Sequence, residues 1–313
     1  MDLSGLIMAF GGGALAAAIG GVPSFIFCGL MALLGIFGGA AGAPGVGTIA
    51  FGPFFGPYSA FVGAVAASAY AHSKGVLEDG QDIVTPLFQT GDAMVLVVGG
   101  VFGMLGFVLN WALSLVNGGN AWTDTPACCV VILGIVARLA FTKSGITGKY
   151  DGAEPRKYFP QGKRLSFLIV FGLGVGIAIG GAAALLGDMA VAGDEAALVL
   201  FNNVGTIGFG IAAVGLTFAC MGLPFEGYHH VILPAGTTAM IVYASTLNGF
   251  AAIAAGAVMG IITSLWGEVM GMTFNSYADS HIDPPASTIW LFQLINFLVL
   301  QAFVFVPTGI FAA

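Results

Sequence analysis

From Arg164 to Gly187 the chain reads "RLSFLIVFGLGVGIAIGGAAALLG", and after its first residue no charge interrupts it. About 20 apolar residues in helical form span the ~30 Å of hydrocarbon in a bilayer, so this run is long enough to cross one. A second run, "STIWLFQLINFLVLQAFVFVP" from Ser287, has the same character. Charged residues make up only 7% of the chain against 58% hydrophobic, whereas a soluble domain carries about 25% charge. A chain with so little polar surface is expected to be a polytopic integral membrane protein with the lipid bilayer as its first partner. In lipid the backbone must satisfy its own hydrogen bonds, which leaves helices or a closed barrel. The apolar runs are continuous rather than alternating, so the expected class is all-α.

The opening "MDLSGLIMAFGGG" has no basic n-region and is read as a retained helix. The four cysteines lie in or beside apolar segments without paired spacing and read as packing residues, not a disulfide frame or a metal site. A net charge of −7 argues against a nucleic-acid surface.

Of the eight basic residues, seven fall between Arg138 and Arg164; only Lys74 lies elsewhere. Basic residues concentrate in cytoplasmic loops, so residues 143–164 are expected to be a cytoplasmic linker. They separate a first transmembrane repeat, 1–142, from a second, 165–313.

The two repeats echo each other. "VGTIAFG" at Val46 returns as "VGTIGFG" at Val204, a shift of 158 that also sets Tyr70 on Tyr228 and His72 on His230. A shift of 157 sets "VFGMLGFVLNW" on "VMGIITSLWGE", and 159 sets "DTPA" (Asp124) on "DPPA" (Asp283). Near-constant offsets over several blocks point to a tandem duplication. Apolar runs at 5–22, 23–42, 93–117 and 126–142, with a Gly/Pro-broken segment at 46–70, give the first half five spans. Runs at 165–186, 231–246, 248–274 and 287–308, with a broken segment at 204–228, give the second about as many. The expectation is thus a bundle of about ten spans with helix breaks at 46–57 and 204–224. The absence of basic residues at either end favours inverted halves over parallel ones.

Breaks at matching places in two halves point to a transporter's binding site, because free N–H and C=O groups are tolerated in a membrane only against protein or a cavity. The expected substrate-binding residues are therefore Gly47, Thr48, Gly205 and Thr206, with Asn202 and Asn203 beside the second break. Most of the 50 glycines serve helix packing instead. Glu268 is the sole charge in "GAVMGIITSLWGEVMGMTF", and an ionisable residue in a span is a functional candidate by default. With His230 and Glu226 it forms the expected coupling set, since histidine titrates near neutral pH. His72 reads as interfacial, and Asp124 and Asp283, each before proline, read as helix caps. No nucleophile elbow, P-loop, metal-ligand motif or dinucleotide fingerprint is present, so neither an enzyme nor a cofactor is expected. The alternative enzyme would use Glu226, His229 and His230 within the membrane.

The pattern "AFGPFFGP…AYA", followed by an apolar run and "ARLAF", resembles an uncharacterised family of bacterial polytopic membrane proteins. The two-half layout also resembles urea-type channels and other duplicated transporters. Together these readings make the chain a secondary transporter of a small solute or ion in the inner (plasma) membrane. The remaining alternatives are a passive channel and a non-catalytic subunit of a membrane complex, and homo-oligomers are compatible with all three.

Overall fold

The structure, a computed structural model, describes residues 2–312, and among these there are helices and turns but no strands. In the first half α1 (Leu3–Ile19) turns sharply at Gly20 into α2 (Gly21–Phe37). A short α3 (Gly39–Gly45) then runs into a π-helical turn, Val46–Ala50. After an irregular stretch come α4 (Ala60–Ser73), α5 (Ala93–Ser114) and α6 (Thr125–Phe141). The second half contains α7 (Gly162–Val191), α8 (Glu195–Asn202), α9 (Val204–Gly215) and α10 (Thr217–Cys220). It ends with α11 (His229–Thr246), α12 (Gly249–Phe274) and α13 (Pro284–Ile295), the last continuing as π-helix through Val304.

Six of the helices begin where a short polar side chain accepts an orphan N–H of the first turn. Asp2, Asp92, Asp124, Asp194, Asn248 and Asp283 cap α1, α5, α6, α8, α12 and α13 in this way. Gly20, at φ 100°, makes the 119° bend between α1 and α2, a conformation that side-chain-bearing residues avoid.

Helix packing is similar in the two halves. α1, α4 and α5 pack mutually, as do α7, α11 and α12. Glycine allows the closest approaches. Gly13 and Ala17 of α1 lie against Gly99 of α5, and Ala9 against Gly103; Gly172 and Gly176 of α7 lie against Gly260 and Gly256 of α12. A Cβ at any of these four α7 and α12 glycines would overlap the facing backbone, the small-residue contact expected of membrane helices. Between the halves α2 packs on α9, and α6 on α13. Gly134 in α6 lies beside Ile282, while Thr123 at the start of α6 hydrogen-bonds the Trp290 carbonyl inside α13. The two helices therefore run antiparallel, each N-terminus beside the other's body.

Ten spans are too many. Four helices are long and apolar enough to cross a membrane: α5, α7, α12 and α13 with its π-helical extension. Each bent pair, α1 with α2 and α8 with α9 and α10, adds one more at most, for a total of six. The reason is visible in α4 and α11. At 14 residues α4 is only about 21 Å long, and all but Tyr70, His72 and Ser73 are buried. α11 begins with two histidines, contains Pro234 and is likewise buried along most of its length. Both are apolar because other helices surround them.

The matched motifs also diverge. The first VGTI forms an exposed π-helical turn after Pro44, with only Ala50 buried, whereas the second opens the buried helix α9. Tyr70 and His72 end α4, but Tyr228 and His230 begin α11, so the Tyr-x-His pairs do not occupy equivalent places.

One guanidinium joins the halves. Arg138, fully buried near the end of α6, donates through Nε to Ser280 Oγ at 2.9 Å and through Nη1 to the carbonyls of Ile146 (2.7 Å) and Phe274 (2.6 Å). Its Nη2 reaches the Ser280 carbonyl and Asn275 Oδ1 (3.2 Å). Arg138 thus ties α6 and the linker to the 275–283 loop that leads into α13.

Candidate functional site

Between the halves lies a cavity of about 1060 Å³. Four helices begin at its wall: α6 at Asp124 to Ala127, α7 at Arg164, α11 at Tyr228 to His230, and α13 at Asp283 to Ala286. α2, α9 and α12 close the remaining sides with Phe25, Phe209 and Gly267 among others. Most of the lining is aromatic or aliphatic, so each polar group in it acts in surroundings of low dielectric.

Arg164, in the first turn of α7, is the electrostatic centre. Its Nη2 sits 2.6 Å from Glu226 Oε2 and 2.6 Å from Glu268 Oε2. A cation in the first turn of a helix opposes the helix dipole, and the two carboxylates offset that conflict. Glu268 is half-buried on α12, while the Glu226 side chain is 72% exposed in the 221–228 connection. A contact from Arg164 thus spans a fixed helix and an exposed connection.

Histidines form a second group. His281 Nε2 lies 3.0 Å from Asp283 Oδ1, and Asp283 also accepts the Ala286 N–H at 2.6 Å as the cap of α13. His229 is 93% buried, its ring 4.7 Å from that of Phe25 between centroids. Among the described residues, neither His229 Nδ1 nor His230 Nδ1 has a hydrogen-bond partner. The His230 imidazole fills the space where Gly267 would carry a side chain, which is why α12 has glycine one residue before Glu268. No three His, Cys, Asp or Glu side chains among the described residues converge closely enough to hold a metal ion.

Thr206, Glu226, His230 and Glu268, all singled out in the sequence, line this one cavity. The others lie elsewhere. Gly47 and Thr48 are exposed, and the Thr48 hydroxyl donates to the Pro44 carbonyl of its own turn at 2.6 Å. Gly205 is buried against Thr237 and Leu233. Asn202 is exposed, and Asn203 donates to the Val199 carbonyl one helical turn back at 2.8 Å. Glu268, the sole charge of its run, is not isolated in space.

Sequence reasoning missed Arg164, counted among the linker's basic residues, and His281, which no motif marks. Asp124 and Asp283 do cap their helices, as read, with Asp124 accepting the Ala127 N–H at 2.8 Å. Both also line the cavity. The usable signal was the DTPA/DPPA repeat, since two antiparallel helices that start at the same motif present those starts to one space between them.

The family model described as a family of unknown function, DUF7973, matches residues 1–154 and 184–312. Arg164 falls between the two matched stretches. No curated protein and no solved structure shows significant similarity to the chain. With most of its length covered by that model, the chain belongs to the DUF7973 family of unknown function.

Proposed function

We propose that the protein is a secondary transporter of a small solute or ion, with its substrate site in the cavity between the two halves. The observation that carries this reading is the convergence of Thr206, Glu226, His230, Glu268 and Arg164 on one largely apolar space framed by four helix starts. Discontinuous helices meeting at the interface of two repeats are the usual setting of a transporter's site.

On this reading the halves are homologous and inverted. Support comes from α6 and α13, which hold corresponding places, open with the same motif and run antiparallel. The membrane is the inner (plasma) membrane and the basic linker, residues 143–164, is cytoplasmic. Arg164 is the last residue of that linker and sits in the first turn of α7, so the cavity approaches the cytoplasmic side at the 221–228 connection. Coupling resides in the Arg164 contact: a proton on Glu268 or Glu226 removes one of its two counter-charges, weakens the hold and frees the connection to move. His230, beside Glu268, offers a second proton acceptor. The chain is read as non-enzymatic.

The test uses the full chain in proteoliposomes containing a pH-sensitive dye, challenged with amines, amino acids, sugars and inorganic ions in turn. Saturable, solute-dependent proton movement that is lost in Glu268→Gln is the expected result. Saturable uptake that is unchanged by Glu268→Gln would remove the coupling role. Flux that neither saturates nor responds to a gradient would replace the transporter with a passive channel. No flux of any compound would remove the transport reading.

A further inference from the structure

The charges facing the cavity are unequal. Arg164 is the one obligate cation in the lining, against the carboxylates of Asp124, Glu226, Glu268 and Asp283. Arg164 is already shared between two of them. An anionic ligand would therefore meet no unpaired cation and an excess of like charge, which disfavours it strongly in a poorly solvated space. Nor are the helix starts ready anion sites throughout. At α6 and α13 the Asp side chains already accept first-turn N–H groups, and at α7 the first turn carries Arg164. α7 and α11 begin without a side-chain cap, and the α11 start holds two histidines.

A cation meets the opposite conditions. Phe25, Phe209, Phe171 and Tyr228 supply aromatic rings to the lining, and aromatic faces attract ammonium groups, the more so when water is excluded. His229, 93% buried with an unpartnered Nδ1, is a further polar group of the lining that lacks a partner within the protein. The volume, about 1060 Å³, is at the upper end of pockets that hold drug-sized ligands. Such space exceeds what a bare metal ion or ammonium needs and suits an organic body.

We infer that the cavity binds an organic cation, an amine or quaternary ammonium compound with an apolar or aromatic body. This rests on the reading of the cavity as the substrate site. The carboxylates balance the charge while the rings and aliphatic walls take up the body.

The inference is tested by calorimetric titration of the detergent-purified full chain with three probes of similar size: benzyltrimethylammonium, neutral N,N-dimethylbenzamide and anionic phenylacetate. The cation is expected to bind at least about ten-fold more tightly than either other probe. Glu268→Gln is expected to weaken it by about ten-fold, whereas Arg164→Gln, which removes the competing cation, raises its affinity. A merely structural loss would lower both. Equal binding of the three, preference for phenylacetate through the uncapped start of α11, or no binding at all each overturns the inference. Because the comparison of probes is made on the unaltered chain, it does not depend on the variants folding. Cation binding without any liposome flux would keep this inference and remove transport. Saturable flux of a neutral or anionic solute without cation binding would do the reverse.

Discussion

Arg138 provides the most demanding test of how the cavity wall is held. It is wholly buried, and its five donor positions go to Ser280 Oγ, Asn275 Oδ1 and the carbonyls of Ile146, Phe274 and Ser280. Among the described residues no carboxylate comes within ion-pairing distance of it, so its direct partners are all neutral oxygens, with the Asp279 charge acting from further away. Replacing it by Met leaves three carbonyls without this donor, and a buried unpaired acceptor costs about 1–3 kcal/mol. Against this stands relief from desolvating a guanidinium, itself several kcal/mol. The bonds are expected to win, with a net loss of about 3 kcal/mol. At roughly 2 °C per kcal/mol for a large domain, the melting temperature of the purified protein should fall by about 6 °C, read from tryptophan fluorescence. Arg138→Lys keeps the charge but has three donors rather than five, so it should melt between the two. Because two of its partners, Asn275 and Ser280, lie in the loop that carries His281 and Asp283, cation binding in the cavity should weaken in the same order. A Met variant that melts at or above the unaltered chain would show that desolvation exceeds the bonds, and would refute the clamp as a stabilising element.

Two further outcomes follow from particular contacts. Gly172→Leu, facing the α12 backbone at Gly260, should abolish the monodisperse folded fraction on size exclusion, while Gly174→Leu, two residues on with open space around it, should leave that fraction unchanged. Loss in both would mean that the helix as a whole, not the close approach, is intolerant. Acid should loosen the 275–283 loop through Asp279. Burial alone would push this carboxyl up, but hydrogen bonds from Ser144 and Thr142 and from the Lys143 N–H outweigh it and hold the group below the usual carboxylate range. Its stabilising contribution is then fully present above about pH 4 and is lost as pH falls through the lower folded-state value. Melting temperature should drop more steeply below about pH 4 in the unaltered chain than in Asp279→Asn, and equal slopes would remove Asp279 from the acid response.

Long apolar helices were legible as continuous runs: α7 and α12 are as apolar as their sequences say and long enough to cross a membrane, and their facing glycines recur at four-residue spacing. The number of spans was not legible. The small residues of α4 exclude water because other helices surround them, and a sequence records apolarity without recording what covers it. The Glu268 site was half legible for a related reason. An acid in an apolar run signals that a partner or cavity exists, but Arg164 lies 104 residues away and looks like the last residue of a solvated linker.

The repeat misled in an instructive way. VGTIAFG and VGTIGFG agree in six of seven residues, yet one is an exposed π-helical turn and the other a buried helix. Their flanks differ. Pro44 precedes the first and Pro53 and Pro57 follow it, whereas the second lies within the 12-residue helix α9, which contains no proline. A seven-residue stretch has too few internal hydrogen bonds to fix its own conformation against such neighbours. DTPA and DPPA behave differently because their conformation is locally determined. Asp accepts the N–H three residues on, and the following proline is already set for the first helical turn. A motif that specifies its own structure adopts it wherever it recurs, and both of these lie at the shared cavity. In a chain with such internal echoes, then, the better guide to the candidate site is the recurring motif that can fold by itself, even when it is the shorter match.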